Sequence, residues 1–144
     1  MRLGSGAIFS LVRTATTSAA FPLSAVLRVG DALRKRRRFM EADVATCATE
    51  SGDRNPVHID DAIARELGGF QRDRVVHGML VASLFPSVIA ARFLSAVYTS
   101  QTLKFAAPEY VRDEVVAQVQ ALHIRTTVAT NSSTLLSFAC SSSN

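Results

Sequence analysis

Cysteine is scarce: Cys47 and Cys140 are the only two in 144 residues. No secretory apolar segment precedes them, so they make no disulfide framework, and both are expected to be reduced thiols. No apolar run reaches the roughly twenty residues that a membrane-spanning helix needs. The longest, Gly78 to Ala91, is interrupted by Pro86, and no membrane span is expected. Acidic residues are absent from the first thirty positions, which carry Arg2, Arg13 and Arg28 before Asp31, the first carboxylate. That stretch is rich in Ser, Thr and Ala, and its Leu3, Ile8, Leu11 and Val12 suit one helix face. An Arg-bearing, hydroxyl-rich, acid-free opening has the composition of an organellar transit peptide, the plainer alternative being a tail with no targeting role. Residues 1–27 are therefore read as a disordered leader and 28–144 as the folded domain.

A hydrophobic content of 48% over this length suits one domain with one core. The net charge of +4 is concentrated in the run Arg34-Lys35-Arg36-Arg37-Arg38. Such a run can serve as a nuclear signal or a nucleic-acid patch, but charge alone is a non-specific footprint, and no aromatic platform or recognition helix accompanies it. A solvated strand, able to steer an acidic partner, is the simpler reading. No nucleic-acid partner is expected.

Strand character runs from Arg28 to Phe39. Glu41 to Glu50 reads as a helix with acids early, Val44, Ala45, Cys47 and Ala48 on one side, and Gly52 as its stop. Asp53 to His58 is a loop, because the Asn55-Pro56 pair forbids a continuing helix. Asp60 to Leu67 reads as a short helix with Asp60 or Asp61 as its cap and Gly68-Gly69 as its stop. From Gly78 to about Phe93 the residues are apolar on nearly every side, as in a buried helix, with Pro86 set to kink it or end its first half. Three β runs follow: Val97 to Phe105, Glu114 to Thr126 with clear alternation, and Leu135 to Cys140. One buried helix and consecutive antiparallel strands give an α+β class with the sheet wrapped around the helix.

The chemistry concentrates in two segments. Asp53 and His58 stand five residues apart in a loop, and His77-Gly78 opens the apolar helix nineteen residues beyond His58. A carboxylate and an imidazole facing the amides of a helix start can move protons beside a carbonyl. Each residue also has a duller reading. Asp53 beside Gly52 could simply make an Asx turn, and His58 could be a loop histidine satisfied by backbone. Asn55 could hold the loop for catalysis or merely form an Asn-Pro turn. His77 is expected to satisfy backbone groups at the corner before the helix, and the Ser83 hydroxyl to bond back along it. A metal site built from Asp53, His58, Asp60 and His77 has no recognised ligand spacing and is set aside.

Taken in order, Gly52-Asp53-Arg54-Asn55-Pro56-Val57-His58-Ile59-Asp60 and Val76-His77-Gly78-Met79-Leu80-Val81-Ala82-Ser83-Leu84 resemble the hydratase signature of MaoC-like proteins. These are hot-dog-fold (R)-specific enoyl-thioester hydratases and 3-hydroxyacyl-thioester dehydratases. The resemblance runs from about Arg28 to Arg125 and includes Ser100 to Phe105. With the leader, the chain looks most like the mitochondrial dehydratase branch of plant-like character. The resemblance implies a hydro-lyase in which Asp53 and His58 act on one water molecule. The Gly78 amide would hold the thioester oxygen, with Asn55, His77 and Ser83 in support. It implies an acyl-carrier-protein or coenzyme A thioester substrate, a homodimer, a mitochondrial matrix location and a role in fatty acid synthesis. It requires no metal and no redox cofactor. A buried Asp53 is expected, its carboxyl tuned by desolvation and the nearby imidazole.

Three departures qualify this. Pro86 stands where some bacterial members carry a serine that helps hold the carboxylate, and Ser87 would point elsewhere. Arg112-Asp113 stands where the family has Gly-Asp, which predicts strain or a changed turn at Arg112. After Arg125 the resemblance fades and the family's final strand is not matched. Unpaired backbone is expected there, with lower stability and the activity of the chain as written in question. The alternatives are an (R)-specific enoyl-CoA hydratase of β-oxidation, a non-catalytic or defective acyl-thioester binder, and a basic interaction domain. The terminal Ser-Ser-Ser-Asn is not the peroxisomal Ser-Lys-Leu address.

Overall fold

Alternation along Glu114–Thr127 fixes the centre of the molecule. Val115, Ala117, Val119 and Ala121 fall on one face of this long strand, and each is at most 1% exposed. Because side chains alternate across a strand, that face is continuous and apolar, and it has to be covered. The cover is the apolar segment beginning at Gly78, whose Leu84, Phe85, Val88 and Ile89 close over it.

The computed structural model describes residues 7–12, 28–93, 97–105, 107–127 and 133–143. Five strands, β1 (Ala7–Val12), β2 (Ala32–Arg38), β3 (Val97–Thr102), β4 (Glu114–Thr127) and β5 (Ser133–Ser143), form one sheet in the order β2-β4-β5-β1-β3. Every neighbouring pair is antiparallel. Helices α1 (Glu41–Ser51), α2 (Asp61–Glu66), α3 (Gly78–Ala82) and α4 (Leu84–Ala90) and a 3₁₀ turn at Pro56–His58 all lie between β2 and β3 in the chain.

Helix ends follow the expected chemistry. Gly52 closes α1 in the left-handed region at φ 77°, its amide donating to the Ala48 carbonyl. Asp60, not Asp61, caps α2, its Oδ1 accepting from the Ala62 and Ile63 amides at 2.8 and 3.0 Å. Asp61 instead receives the Arg74 amide at 3.1 Å and the Arg74 guanidinium at 3.2 Å. The expected continuous helix from Gly78 is two helices that meet at Ser83 and Leu84. Pro86, in the first turn of α4, has no amide to offer Ala82, so the hydrogen-bond ladder breaks there. Met79, expected in a helix buried all round, is 60% exposed.

The basic run is an edge strand. Arg34 and Arg36 turn to one face, toward Gln118 (2.6 Å) and Glu114 (3.4 Å). Lys35 and Arg37 turn to the other, toward Ser87 (3.1 Å) and Asp43 (2.7 Å). Charged edges of this kind discourage strand addition. Arg112 takes φ 75°, among the described residues the only non-glycine in the left-handed region. The strain expected from the missing glycine is therefore in the backbone itself. It is offset by the Arg112 amide donating to the Phe39 carbonyl at 2.8 Å and by its guanidinium pairing with Glu41.

Two expectations need correction. Residues 7–12, assigned to a disordered leader, form β1 inside the sheet. The remainder of 1–27 lies outside the described residues, as does the Cys140 side chain. The edge left open by an unmatched final strand is paired, because β1 lies along β5 from Ala7↔Cys140 to Leu11↔Leu136. On its other side β1 carries β3, from Ile8↔Thr102 to Val12↔Val97.

Candidate active site

Local turn chemistry assembles the site. Where α1 stops at Gly52, the Asp53 Oδ1 accepts the Asn55 amide at 3.2 Å, and Asn55 Oδ1 accepts the Val57 amide at 3.2 Å. These are two overlapping Asx turns. Pro56 then opens the 3₁₀ turn, in which the His58 amide donates to the Asn55 carbonyl at 3.0 Å. The chain reverses, and His58 Nε2 comes to lie 4.0 Å from Asp53 Oδ2. The turn and the proton-transfer readings of Asp53 are thus compatible. One oxygen holds the loop and the other faces the imidazole.

The second segment is tied to the first by three bonds. The Val75 amide donates to the Val57 carbonyl at 3.2 Å. His58 Nδ1 donates to the Val75 carbonyl at 2.8 Å, and His77 Nε2 donates to the Asp53 carbonyl at 3.0 Å. A carbonyl only accepts, so these partners place a proton on His58 Nδ1 and on His77 Nε2. In the neutral rings His58 Nε2 and His77 Nδ1 then carry lone pairs. The rings stack with centroids 3.9 Å apart and planes inclined by 27°. His77 is 3% exposed. It satisfies a backbone carbonyl, as expected, and also forms a wall of the site.

Gly78 follows as the first residue of α3, where amides have no carbonyl to bond within the helix. It lines a cavity of about 670 Å³ together with Asp53, His77, Val81, Phe85 and Phe105. That volume suits a small-molecule ligand, and the mostly apolar wall suits an acyl chain. His58 is not a wall residue; it reaches the cavity through Asp53 and His77.

The remaining candidates divide. Asn55 is a turn former whose side chain is committed to Val57. Ser83 lies apart from the cavity: its hydroxyl donates to the Leu80 carbonyl at 2.6 Å, along the helix. Ser87 does the same with Leu84 at 2.7 Å and also receives Lys35, so it offers Asp53 nothing. The Asp53 side chain, expected to be buried, is 54% exposed, because it sits on a loop at the cavity mouth. Asp60 caps α2, away from the pair. Two wall residues escaped the sequence reading. Phe105 packs over Gly78, and its only signal was its place at the end of the Ser100 to Phe105 match. Glu109 is a carboxylate 6% exposed, and its signal was an acid directly after Pro108 in an otherwise uncharged stretch.

Residues 16–136 match the family described as the MaoC like domain. The chain belongs to the MaoC-like family. Its fold is the hot-dog fold of that family's solved structures. It superposes with a TM-score of 0.64 and 35% identity on an (R)-hydratase from A. caviae involved in PHA biosynthesis, covering 79% of this chain and 95% of that one. It is 48% identical over 102 residues to a mitochondrial 3-hydroxyacyl-[acyl-carrier-protein] dehydratase of Arabidopsis thaliana, covering 71% of this chain and 60% of the relative. It is 41% identical over 101 residues to an (R)-specific enoyl-CoA hydratase of Aeromonas caviae, covering 69% of this chain and 74% of the relative. The chain spans about three-fifths of the length of the plant relatives it matches.

Proposed function

We propose that the chain is a hydro-lyase that adds water reversibly to trans-2-enoyl thioesters, forming (R)-3-hydroxyacyl thioesters. The single observation that carries this reading is the Asp53 and His58 pair, 4.0 Å apart at the mouth of an acyl-sized cavity. A water about 2.8 Å from each would be held at an angle of roughly 90° between them. Asp53 Oδ2 and the bare His58 Nε2 both accept, so each takes one of its hydrogens. The water's lone pairs are then turned away from the pair, toward C3 of the substrate.

As the oxygen bonds to C3, one of its protons passes to the pair, and the C2–C3 π electrons move toward the thioester carbonyl. The oxygen of that carbonyl gathers negative charge, which the Gly78 amide is placed to hold. The pair delivers that proton to C2, and the enolate collapses to the 3-hydroxyacyl thioester. Dehydration is the same path reversed. Each step uses only groups of this chain, water and substrate.

A carrier-protein thioester as substrate and a mitochondrial location follow the names of the plant relatives; a role in fatty acid synthesis and a place in the matrix are this reading's own extension of them. The acid-free opening supports the location. Removal of a leader ending at residue 27 would take β1 out of the sheet, so the N-terminus of the mature protein decides between a cleaved leader and a retained strand. A homodimer is supported by the two sheet edges. β2 carries five consecutive basic residues and repels a second copy of itself, whereas β3, Val97–Thr102, is uncharged and fit to pair.

A coenzyme A substrate is the second reading, favoured by the 41% identity to an (R)-specific enoyl-CoA hydratase whose length the chain matches better. Hydration of crotonyl-CoA, followed as loss of enoyl absorbance, tests the activity. The same assay with crotonyl-carrier protein separates the two substrates by kcat/KM. No turnover of either would remove the lyase reading and leave an acyl-thioester binder.

A further inference from the structure

We propose that Asp53, His58 and His77 are also a binding site for a divalent transition cation, zinc above all, and that the bound ion displaces the shared water and inhibits the enzyme. One ligand atom from each residue lies within 4.8 Å of the other two. The loop reversal at Asn55 and Pro56 brings them together, which is why spacing along the chain did not reveal the group.

The hydrogen bonding around the two rings is what a histidine ligand needs. A metal-bound imidazole generally gives its other N–H to a carbonyl or carboxylate, which fixes the tautomer and turns the lone pair to the ion. Here His58 gives Nδ1–H to the Val75 carbonyl and His77 gives Nε2–H to the Asp53 carbonyl. Both remaining nitrogens are bare before any ion arrives. The second observation is independent. His77 Nδ1 is a buried polar atom with no hydrogen-bond partner among the described residues, on a ring that is 3% exposed and forms the cavity wall. A buried nitrogen lone pair left unbonded is costly, and a cation would satisfy it.

Two imidazoles and a carboxylate are ligands that suit zinc, copper and nickel rather than magnesium or calcium. Ligands about 2.0–2.1 Å from a tetrahedral ion stand about 3.4 Å from one another. The three ligand atoms, spread over up to 4.8 Å, must draw together by as much as about 1.4 Å. The stacked rings must tilt so that their lone pairs converge, and Asp53, on an exposed loop, is the ligand freest to move. Such an ion occupies Asp53 Oδ2 and His58 Nε2, the atoms that hold the reacting water. Binding and hydration therefore compete. The binding claim stands on geometry alone, whereas the inhibition claim rests on the hydro-lyase reading.

The test uses the full chain, with zinc competed against a chromogenic chelator and cobalt(II) followed by its visible absorption. We expect one ion per chain, cobalt bands of a low-coordinate imidazole site, and no binding of magnesium. Asp53→Asn and His58→Ala should each weaken zinc by about 10- to 100-fold or more, with circular dichroism reporting that each variant is folded. Asp53→Asn keeps the loop's turn bond, so it informs even if His58→Ala unfolds. Cys47→Ala, which removes a thiol from the same cavity wall, should leave affinity unchanged. Zinc should abolish crotonyl-CoA hydration and a chelator restore it. Absence of zinc binding, binding indifferent to Asp53→Asn, or binding lost only in Cys47→Ala would each overturn the site. Zinc-stimulated hydration would overturn the inhibition. A chain that binds zinc but never hydrates would defeat the proposed function and leave the site standing.

Discussion

The Phe105 ring lies so close over Gly78 that a Cβ added to the glycine would meet three ring carbons at 3.0 to 3.2 Å. Packing, and not backbone conformation, therefore demands glycine here, since Gly78 is not among the glycines with positive φ. Phe105 is 55% exposed and can swing aside. Gly78→Ala should cost no more than about 1–3 kcal/mol of stability in a denaturant melt, while hydration falls at least about tenfold as the new methyl stands before the amide. Adding Phe105→Ala should restore the stability and leave the rate low. Full recovery of rate in the double variant would mean that the amide is not the thioester's partner.

Asp53→Asn separates chemistry from folding. The amide oxygen can keep the turn bond to the Asn55 amide, and the side chain is largely solvated. Melting should stay within about 0.5 kcal/mol of the parent. The kcat for crotonyl-CoA should drop by about 10²–10⁴, the scale of general acid–base catalysis. Parent-like turnover would take Asp53 out of the mechanism.

At Arg112 a left-handed residue is held by an ion pair. The Glu41 carboxyl lies below its ordinary value of 4.5, first through a hydrogen bond from its own backbone amide and then, against opposing burial, through the Arg112 hydrogen bond and charge. A depressed carboxyl contributes stability above its unfolded value and loses that contribution as pH falls through its folded value. Arg112→Gly relieves a backbone cost of about 1–2 kcal/mol and forfeits the exposed pair. It should be mildly stabilising at pH 7. The gain should widen below about pH 4.5, where the parent loses its pairing. Urea midpoints of both proteins across pH 3–7, about four units, are the measurement. A gain that narrows with acid would contradict the pairing.

β1 is the strand that joins β3 to the rest of the sheet. The Ser10 backbone pairs with Ser100 on one side and Ser137 on the other. Ser10→Pro removes an amide from a strand paired on both edges and should lose about 1–3 kcal/mol or more. Deleting residues 1–27 should do at least as much damage, read as a lowered Tm and faster exchange of β3 amides. Unchanged melting in both would return the segment to the status of a dispensable leader.

Much of the layout was legible in the chain. Alternation through Val115, Val119 and Ala121 marked the central strand, because one side of a pleat must be apolar. Gly52 and Asp60 marked helix ends, because their backbone and side chain suit those positions whatever surrounds them. Pro86 announced a break, since a missing amide is a covalent fact. The residue types of the site were legible for the same reason. Asn-Pro forces the reversal after Asp53, so the sequence itself marks Asp53 and His58 as a pair.

Other features depend on partners distant in sequence, and no local pattern carries them. Composition alone cannot say that Ala7–Val12 joins the sheet, because its pairing with β3 and β5 is a matter of which edges lie open. Nor can it say that Asp53 is solvated, that Phe105 guards Gly78, or that two imidazoles stack with their lone pairs uncommitted. Sequence determined which groups this protein owns and where its backbone must turn. Tertiary structure alone decided which of those groups meet, because a proton or an ion responds to distances of a few ångströms in space and not to spacing along a chain.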